Sequence, residues 1–146
     1  MGKVHKIGIS PNKGGVVLNV DSVEAIKGKG LINDRKFKVN NDKKRQITLI
    51  EIENINYYNK ISNSRIPAIK FRRNIITENI KLNDLENKEF FIGEVKVLAH
   101  DLCRPCRYLE DLLNQKIFVK ELLFKGGLRC EILSNGKIYV GDDINN

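Results

Sequence analysis

The chain has 146 residues and carries 26 Lys and Arg against 18 Asp and Glu, a net charge of +8. This length is typical of one domain, and no apolar run approaches the roughly 18 residues that cross a bilayer, so we expect a single domain over residues 1–146 with no membrane span. The first residues lack the apolar stretch of a signal peptide, and the cysteine count of three is odd, which predicts a cytoplasmic protein with reduced thiols.

The positive charge does not by itself predict a nucleic-acid-binding protein. The lysines are scattered among Asn and Ile residues, and no aromatic side chains alternate with a basic stripe. A compact anionic ligand fits the localised arginines better, since guanidinium groups bind such ligands through paired hydrogen bonds.

Short runs of alternating or β-branched residues predict a mainly β protein. The predicted strands occupy residues 4–9, 16–20, 46–50, 74–77, 90–92, 95–99, 128–133 and 137–140. Asn135-Gly136 predicts a tight hairpin between the last two strands. Residues 28–45 predict a long loop, which in a compact domain is more often functional than idle. Many short strands with turn signals predict a closed or partly closed β-barrel.

Two or so short helices complete the predicted fold. The spacing of Ile52, Ile55 and Asn59 predicts a helix over residues 51–60. Residues 105–114 form the other convincingly helical segment. Pro105 suits the first position of that helix, because its missing N–H has no intrahelical partner there.

Cys106 would then be the second residue of a helix. Its N–H would have no intrahelical partner, and the positive end of the helix dipole would lie beneath it. Arg104 and Arg107 flank it. These effects favour the thiolate, which is the nucleophilic and metal-binding form, although Glu110 one turn later opposes them. The sequence therefore predicts an activated cysteine at position 106.

Three other interpretations of the cysteines stay open. Cys106 shares a helical face with two leucines and could be core filler. His100, Cys103, Cys106 and Cys130 could form a Cys3His zinc site, and a C-x-x-C pair can be a redox dithiol, although the βαβ pattern of thioredoxin is missing. Cys130 alternates with apolar residues and is most simply a core residue.

Arginines in three separate segments are candidate ligand contacts. Arg35 follows Asp34, Arg45 ends a Lys-Lys-Arg run, and Arg72-Arg73-Asn74 precedes a strand. Guanidinium groups bind phosphate through charge-assisted hydrogen bonds. Several arginines converging on a thiolate would suit a phosphate-bearing, soft-metal or sulfur-bearing ligand. Ordinary surface charges paired with nearby acids are the alternative.

Five segments resemble the MOSC domain, the molybdenum cofactor sulfurase C-terminal domain family, in order and in register. They are GLINDRKF, RQITLIE, FRRNIITENIKLNDLENKEFFIGEVKVL, LCRPCRYLE and GGLRCEILSNGKIYVGDDI. The resemblance runs from about Gly30 to the end of the chain and is to a small standalone bacterial member. It implies a barrel-like, mainly β fold.

The resemblance also implies a site. Cys106 matches the family cysteine, which in the mitochondrial amidoxime-reducing relatives ligates molybdenum. On the same match, Arg35, Arg72 and Asn74 contact the pterin phosphate, and Arg45 is added to this set. Two positions depart from the family pattern: Asn33 stands where many relatives have Gly, and Arg73 replaces a Pro.

The function implied is that of a sulfur carrier or a molybdenum cofactor-binding domain with one reactive cysteine. The partners would be a cysteine desulfurase or proteins of cofactor biosynthesis and delivery. Two alternatives are a molybdenum-dependent reductase of N-hydroxylated compounds and a structural zinc or interaction module. The sequence does not decide whether the protein is an enzyme.

Overall fold

The computed structural model describes residues 2–12, 14–103 and 124–145. Within these residues the chain forms eleven strands, one α-helix and two 3₁₀ turns. The strands are β1 (Gly2–Ile9), β2 (Leu18–Val20), β3 (Ser22–Ile26), β4 (Gly30–Leu31), β5 (Ile47–Glu51), β6 (Ile75–Glu78), β7 (Glu89–Ile92), β8 (Val95–Leu102), β9 (Leu128–Ile132), β10 (Gly136–Tyr139) and β11 (Asp143–Asn145). The helix α1 spans Ile52–Ser62, and the turns span Ala68–Phe71 and Leu82–Leu85. The predicted mainly β class is confirmed.

Seven strands close into a barrel in the order β11, β7, β8, β9, β5, β6, β1, and β1 pairs back onto β11. Neighbours are antiparallel except β5 and β6, which are parallel and are connected through α1. Parallel neighbouring strands need such a crossover, because the chain must return to the end of the sheet where the first strand began before it forms the second. Closure leaves the barrel without a free edge, and β2 pairs with β1 outside the ring.

Alternate residues of the strands fill the barrel. On β8 and β9 every second side chain is buried, so Val97 and Ala99 face inward with Cys130 and Ile132. The alternation follows from the two-residue period of a strand. The prediction that Cys130 is a core residue is confirmed, since it is 0% exposed.

The predicted hairpin at Asn135-Gly136 is wrong. β10 pairs with β3 in a separate three-stranded sheet of β10, β3 and β4. Both edges of β9 are already occupied by β5 and β8, so β9 has no edge left for β10. The Asn135 side chain instead accepts a hydrogen bond from the backbone N–H of Lys27, just after β3.

The helix α1 covers one side of the barrel at β5 and β6. Its Ile55 and Tyr58 are buried in a second apolar cluster with Ile50, Phe71 and Ile76. The predicted helix over 51–60 is therefore confirmed. The other predicted helix, over 105–114, lies outside the described residues. No helix in the described part of the chain is both long and apolar enough to cross a membrane.

Candidate functional site

The loop after β4 is fastened to the end of β1 by Asp34. Its carboxylate accepts hydrogen bonds from the backbone N–H groups of Ser10, at 2.9 Å, and Lys36, at 3.3 Å. The Arg35 N–H donates to the carbonyl of Ser10 at 2.8 Å. Asn33 has a φ of 72°, a left-handed conformation that glycine adopts freely and that Asn tolerates better than most residues. The turn therefore forms without the glycine of the family pattern.

Asn74 joins three strands of the barrel. Its side-chain oxygen accepts hydrogen bonds from the N–H of Thr48 at 3.0 Å and from the Thr48 hydroxyl at 3.1 Å. Its amide nitrogen donates to the carbonyl of Gly8 at 3.1 Å. The residue is only 8% exposed. Most of its hydrogen-bonding capacity is thus used by β1 and β5, and its predicted role as a ligand contact stays a prediction.

Arg72 and Arg73 also support neighbouring turns. Arg72 has a left-handed backbone with a φ of 62°, and its guanidinium donates to the carbonyl of Gly15 at 2.9 Å and to the Ser10 hydroxyl at 3.3 Å. Arg73 Nε donates to the carbonyl of Gly126 at 3.1 Å. Each guanidinium keeps further N–H groups. Both side chains therefore position loops and still present donors to the space between them.

Three adjoining cavities lie between these segments. The first, here the inner cleft, has about 20 Å³, which is room for about one water molecule. The second, here the thiol chamber, has about 210 Å³, and the third, here the outer groove, has about 450 Å³. Lys36 lines all three. The inner cleft is lined by Gly8, Ser10, Val17, Asp34, Arg35, Lys36, Thr48, Arg72, Arg73 and Asn74; the thiol chamber by Lys36, Thr48, Arg73, Cys103 and Arg129; and the outer groove by Arg35, Lys36, Phe37, Lys38, Asn41, Asp42 and Arg45.

The predicted arginines therefore converge from distant segments, with unequal roles. Arg35 lines the inner cleft and the outer groove, and Arg72 and Asn74 line the inner cleft alone. Arg45 is exposed and lines only the outer groove. Arg35 and Arg45 form no ion pair with any acid in the described parts of the chain, and Asp42 is the acid that lines the outer groove with them.

Lys36 is at the centre of this positive region. Burial lowers the pKa of its ammonium group, and repulsion from Arg35, Arg73 and Arg45 lowers it further. Its ammonium group has no hydrogen-bond or ion-pair partner in the described parts of the chain. A cation held in this way is a candidate for binding an anion, because perturbed groups in clefts are often functional.

The thiol chamber brings a cysteine into the same region. Cys103 directly follows β8, is 4% exposed, and donates its backbone N–H to the carbonyl of Gly127 at 2.7 Å. Gly127 has a φ of 98°, and a Cβ there would overlap the backbone of β5, so this turn requires glycine. Cys130, by contrast, lies in the core, where burial raises the pKa of its thiol well above the usual value.

Cys106, the predicted reactive cysteine, lies outside the described residues. It follows Cys103 by three residues in the sequence, and three residues of chain span at most about 11 Å. Its proposed role as nucleophile or molybdenum ligand therefore stays a prediction, tied to a chain segment that begins at the wall of the thiol chamber.

The Cys3His zinc site does not form. His100 lies on the outer face of β8, where its Nε2 is 2.9 Å from Glu131, and Cys130 lies on the opposite, inner face of the sheet. Side chains on opposite faces cannot share one tetrahedral ion. Among the described residues no three His, Cys, Asp or Glu side chains are grouped to hold a metal.

Sequence reasoning missed Lys36, Thr48 and Arg129 as residues of this site. Each lies inside a segment that the resemblance had selected: Lys36 follows Arg35, Thr48 is in RQITLIE, and Arg129 precedes Cys130. Nothing in their local pattern sets them apart from other charged or strand residues. Only the meeting of the 34–45 loop with β5 and β9 identifies them.

Comparisons with known proteins agree with the barrel and the site segments. The MOSC domain model matches residues 34–145. The structure is similar to the YUAD protein from Bacillus subtilis, with a TM-score of 0.87 and 20% identity over 99% of this chain and 94% of that one. It is also similar to YiiM from Geobacillus stearothermophilus, with a TM-score of 0.76 and 15% identity over 99% of this chain and 74% of that one.

YiiM from Escherichia coli is similar as well, with a TM-score of 0.75 and 16% identity over 99% of this chain and 69% of that one. At such identities the likeness to these structures concerns the fold alone. Comparison with curated proteins gives no match. The family model, however, covers most of the chain and includes the 34–45 loop, the 72–74 segment and both described cysteines. The chain therefore belongs to the MOSC domain family.

Proposed function

We propose that this chain is a sulfur-carrying or molybdenum cofactor-binding domain whose reactive group is the Cys106 thiolate. The observation that carries the proposal is the gathering of Arg35, Lys36 and Arg73 beside a chamber walled by Cys103, three residues before Cys106. The MOSC domain family is associated with molybdenum cofactor binding. The groove thus combines anion-binding groups with a nearby thiol-bearing segment, as such a ligand requires.

The described residues fit the phosphate end of this cofactor. Guanidinium and ammonium groups without acid partners bind phosphate through charge-assisted hydrogen bonds. The inner cleft admits about one water molecule, so it is too small for a phosphate group. We therefore assign the phosphate to the outer groove, between Arg35 and Arg45. Arg72 and Asn74 then act at the inner cleft, where Arg72 holds Gly15 and Asn74 holds Gly8 of β1.

The thiolate would supply the soft end of the site. Thiolate sulfur is a ligand that soft and borderline metals accept readily. When bound, the cofactor would supply a molybdenum centre, and the protein's own contribution is to hold the phosphate, balance negative charge and keep the Cys106 sulfur ionised. The cationic groove favours all three, since positive charge nearby stabilises a thiolate.

As a sulfur carrier, the chain would accept sulfur from the persulfide of a cysteine desulfurase. The Cys106 thiolate would attack the outer sulfur of that persulfide, which forms a new S–S bond on Cys106. The S–S bond of the donor breaks, and the donor's cysteine leaves as a thiolate with the electron pair. No other oxidant or reductant is needed.

The cofactor proposal is tested by the molybdenum content and native mass of freshly purified protein. We expect cofactor in the wild type, none in Cys106→Ser, and reduced occupancy in Arg35→Ala. Arg65→Ala is the matched control, because Arg65 is exposed and lies outside the three cavities. Equal molybdenum in wild type and Cys106→Ser would refute the assignment. Arg35 is a cleaner variant than Arg72, whose guanidinium also holds Gly15.

The sulfur-carrier proposal is tested by mass spectrometry after incubation with a desulfurase and cysteine. The peptide containing Cys106 should gain the mass of one sulfur atom, and reduction with dithiothreitol should remove it. Cys103→Ser should still gain it, whereas Cys106→Ser should not. A folded wild-type protein without this adduct, under conditions in which the desulfurase turns over, would contradict the carrier role.

A further inference from the structure

The thiol chamber is distinct from the groove assigned to the cofactor phosphate. Its walls come from the 34–45 loop, β5, the segment before β6, the end of β8 and the start of β9. The chamber shares Lys36 with the outer groove, whereas Arg35 and Arg45 line the outer groove and not the chamber. With about 210 Å³, it has room for a ligand of several heavy atoms and its hydration.

The hydrogen-bond donors of the chamber are cationic and only partly used. No described residue accepts a hydrogen bond from the Lys36 ammonium group. Arg73 uses Nε and Nη1 on backbone carbonyls, so Nη2 has no acceptor among the described residues. Arg129 forms a two-pronged ion pair with Asp101 through Nε and Nη2, which leaves its Nη1. The three residues that carry these donors, Lys36, Arg73 and Arg129, all line the chamber.

The charged side chains that line the chamber, counted together with Asp101, carry a net charge of about +2. Asp101 compensates Arg129 and also lies 3.5 Å from Lys44. Lys36 and Arg73 have no ion-pair partner in the described parts of the chain. Thr48 is saturated, because its hydroxyl donates to Asn74 and accepts from the Asn74 N–H. Lys36 and Arg73 are half-buried, and a cation taken partly out of water loses hydration that a charge of opposite sign can replace.

We infer that the thiol chamber is a binding subsite for a small tetrahedral dianion, such as sulfate or hydrogen phosphate, held between Lys36 and Arg73. The dianion matches the two uncompensated charges, and its oxygens match the three free donors. The Cys103 thiol lies at the same wall, so the ligand would sit against a sulfur atom. This deepens the proposed function, and it rests on that function only in giving the anion a place beside the sulfur chemistry.

Titration calorimetry with sodium sulfate tests the subsite directly. The titration uses the full chain carrying Cys106→Ser, at constant ionic strength set with potassium chloride. Saturable binding is expected, because the described walls of the chamber are formed by Lys36, Thr48, Arg73, Cys103 and Arg129, which this variant keeps. Lys36→Gln should raise the dissociation constant for sulfate about tenfold or more, which is the effect expected when a charge-assisted hydrogen bond is lost. The Lys36 side chain forms no hydrogen bond or ion pair with any described residue, so this variant should fold.

Lys43→Gln is the matched control. It removes one exposed positive charge from the same loop without altering a residue that lines the chamber. The dissociation constant for sulfate should therefore differ less than about twofold from that of the parent protein. Absence of saturable binding would overturn the inference. So would sulfate binding to Lys36→Gln as tightly as to its parent, or an equal loss in Lys43→Gln, since both would indicate diffuse attraction to net charge.

A parallel titration with inorganic phosphate at about pH 8, where phosphate is a dianion, separates the two sources of the ligand. Similar dissociation constants support a general dianion subsite, and a preference for sulfate supports a sulfur oxyanion. The result is independent of the cofactor test. Sulfate binding without molybdenum would leave this inference standing and remove the cofactor proposal, and molybdenum without sulfate binding would do the reverse.

Discussion

Replacing Asn74 by Ala should destabilise the barrel, because this side chain is a scaffold element. The change removes the acceptor of the Thr48 N–H and the donor to the Gly8 carbonyl. A buried backbone group left without a partner costs about 1–3 kcal/mol, so two such groups give roughly 2–6 kcal/mol. The inner cleft beside them has room for about one water molecule, which can satisfy one of the two groups. We therefore expect a loss of about 1–3 kcal/mol.

Urea denaturation followed by far-UV circular dichroism measures this loss as a change in the free energy of unfolding. Asn19→Ala is the matched control, because Asn19 is exposed on β2 and makes no hydrogen bond to Thr48 or Gly8 through its side chain. Its change should stay within about 0.5 kcal/mol. If Asn74→Ala lost less than about 1 kcal/mol relative to this control, the scaffold role would be refuted and Asn74 would be left free for a ligand.

Three further outcomes are expected. Gly127→Ala should fail to accumulate as folded protein, because its Cβ would overlap the backbone of β5. Gly28 also has a positive φ but has no atom within 4 Å of an added Cβ, so Gly28→Ala should fold and lose about 1–2 kcal/mol of unfolding free energy. Equal solubility and melting temperature of the two variants would contradict the packing argument. The hydrogen bonds from Arg129 lower the pKa of Asp101 below its usual 3.8, so the stability from this pair is present above that pH and is lost as the pH falls through the lowered value. The melting temperature of Asp101→Asn should therefore fall less on acidification than that of the wild type. Parallel decreases in the two proteins would show that this ion pair does not contribute to stability. Iodoacetamide should label Cys130 only after denaturation, because burial excludes the reagent and raises the thiol pKa, and rapid native labelling detected by peptide mass spectrometry would show that the core is open there.

Local patterns were sufficient for most of the barrel strands. The alternation in residues 95–99 and 128–133 reports one buried face, which is a property of each strand by itself. The predicted strand over 4–9 also forms, but its burial does not alternate, because a bulge lies between Val4 and Lys6. The helix over 51–60 was likewise predictable, because Ile52, Ile55 and Asn59 have helical spacing. In the structure its buried residues are Ile55 and Tyr58. A single buried face requires no knowledge of the neighbouring strand.

Strand pairing was less readable. Asn135-Gly136 is a strong hairpin signal, yet β10 pairs with β3, more than a hundred residues earlier in the chain. The signal describes only the turn, whereas the pairing depends on which edges of β9 are free. β3 itself lies in residues that the pattern left without an element, because its short run gives a weak period.

The chemistry of the site divides in the same way. The sequence by itself identified the segments that meet at the groove, through Arg35, Arg45 and Arg72 and the Cys-x-x-Cys stretch, because residue type and family resemblance are both properties of the linear chain. Only the tertiary structure decided what these side chains do. It shows Arg72 and Asn74 bonded to the scaffold and leaves the Lys36 ammonium group without a described partner.

That division has a physical reason. A hydrogen bond such as Asn74 to Gly8 joins residues 66 positions apart, and the uncompensated charge of Lys36 depends on which acids and cations the fold brings near it. Neither quantity is encoded in the residues next to Asn74 or Lys36. Residue types determine which groups are available for binding, and barrel closure determines which of those groups are already used.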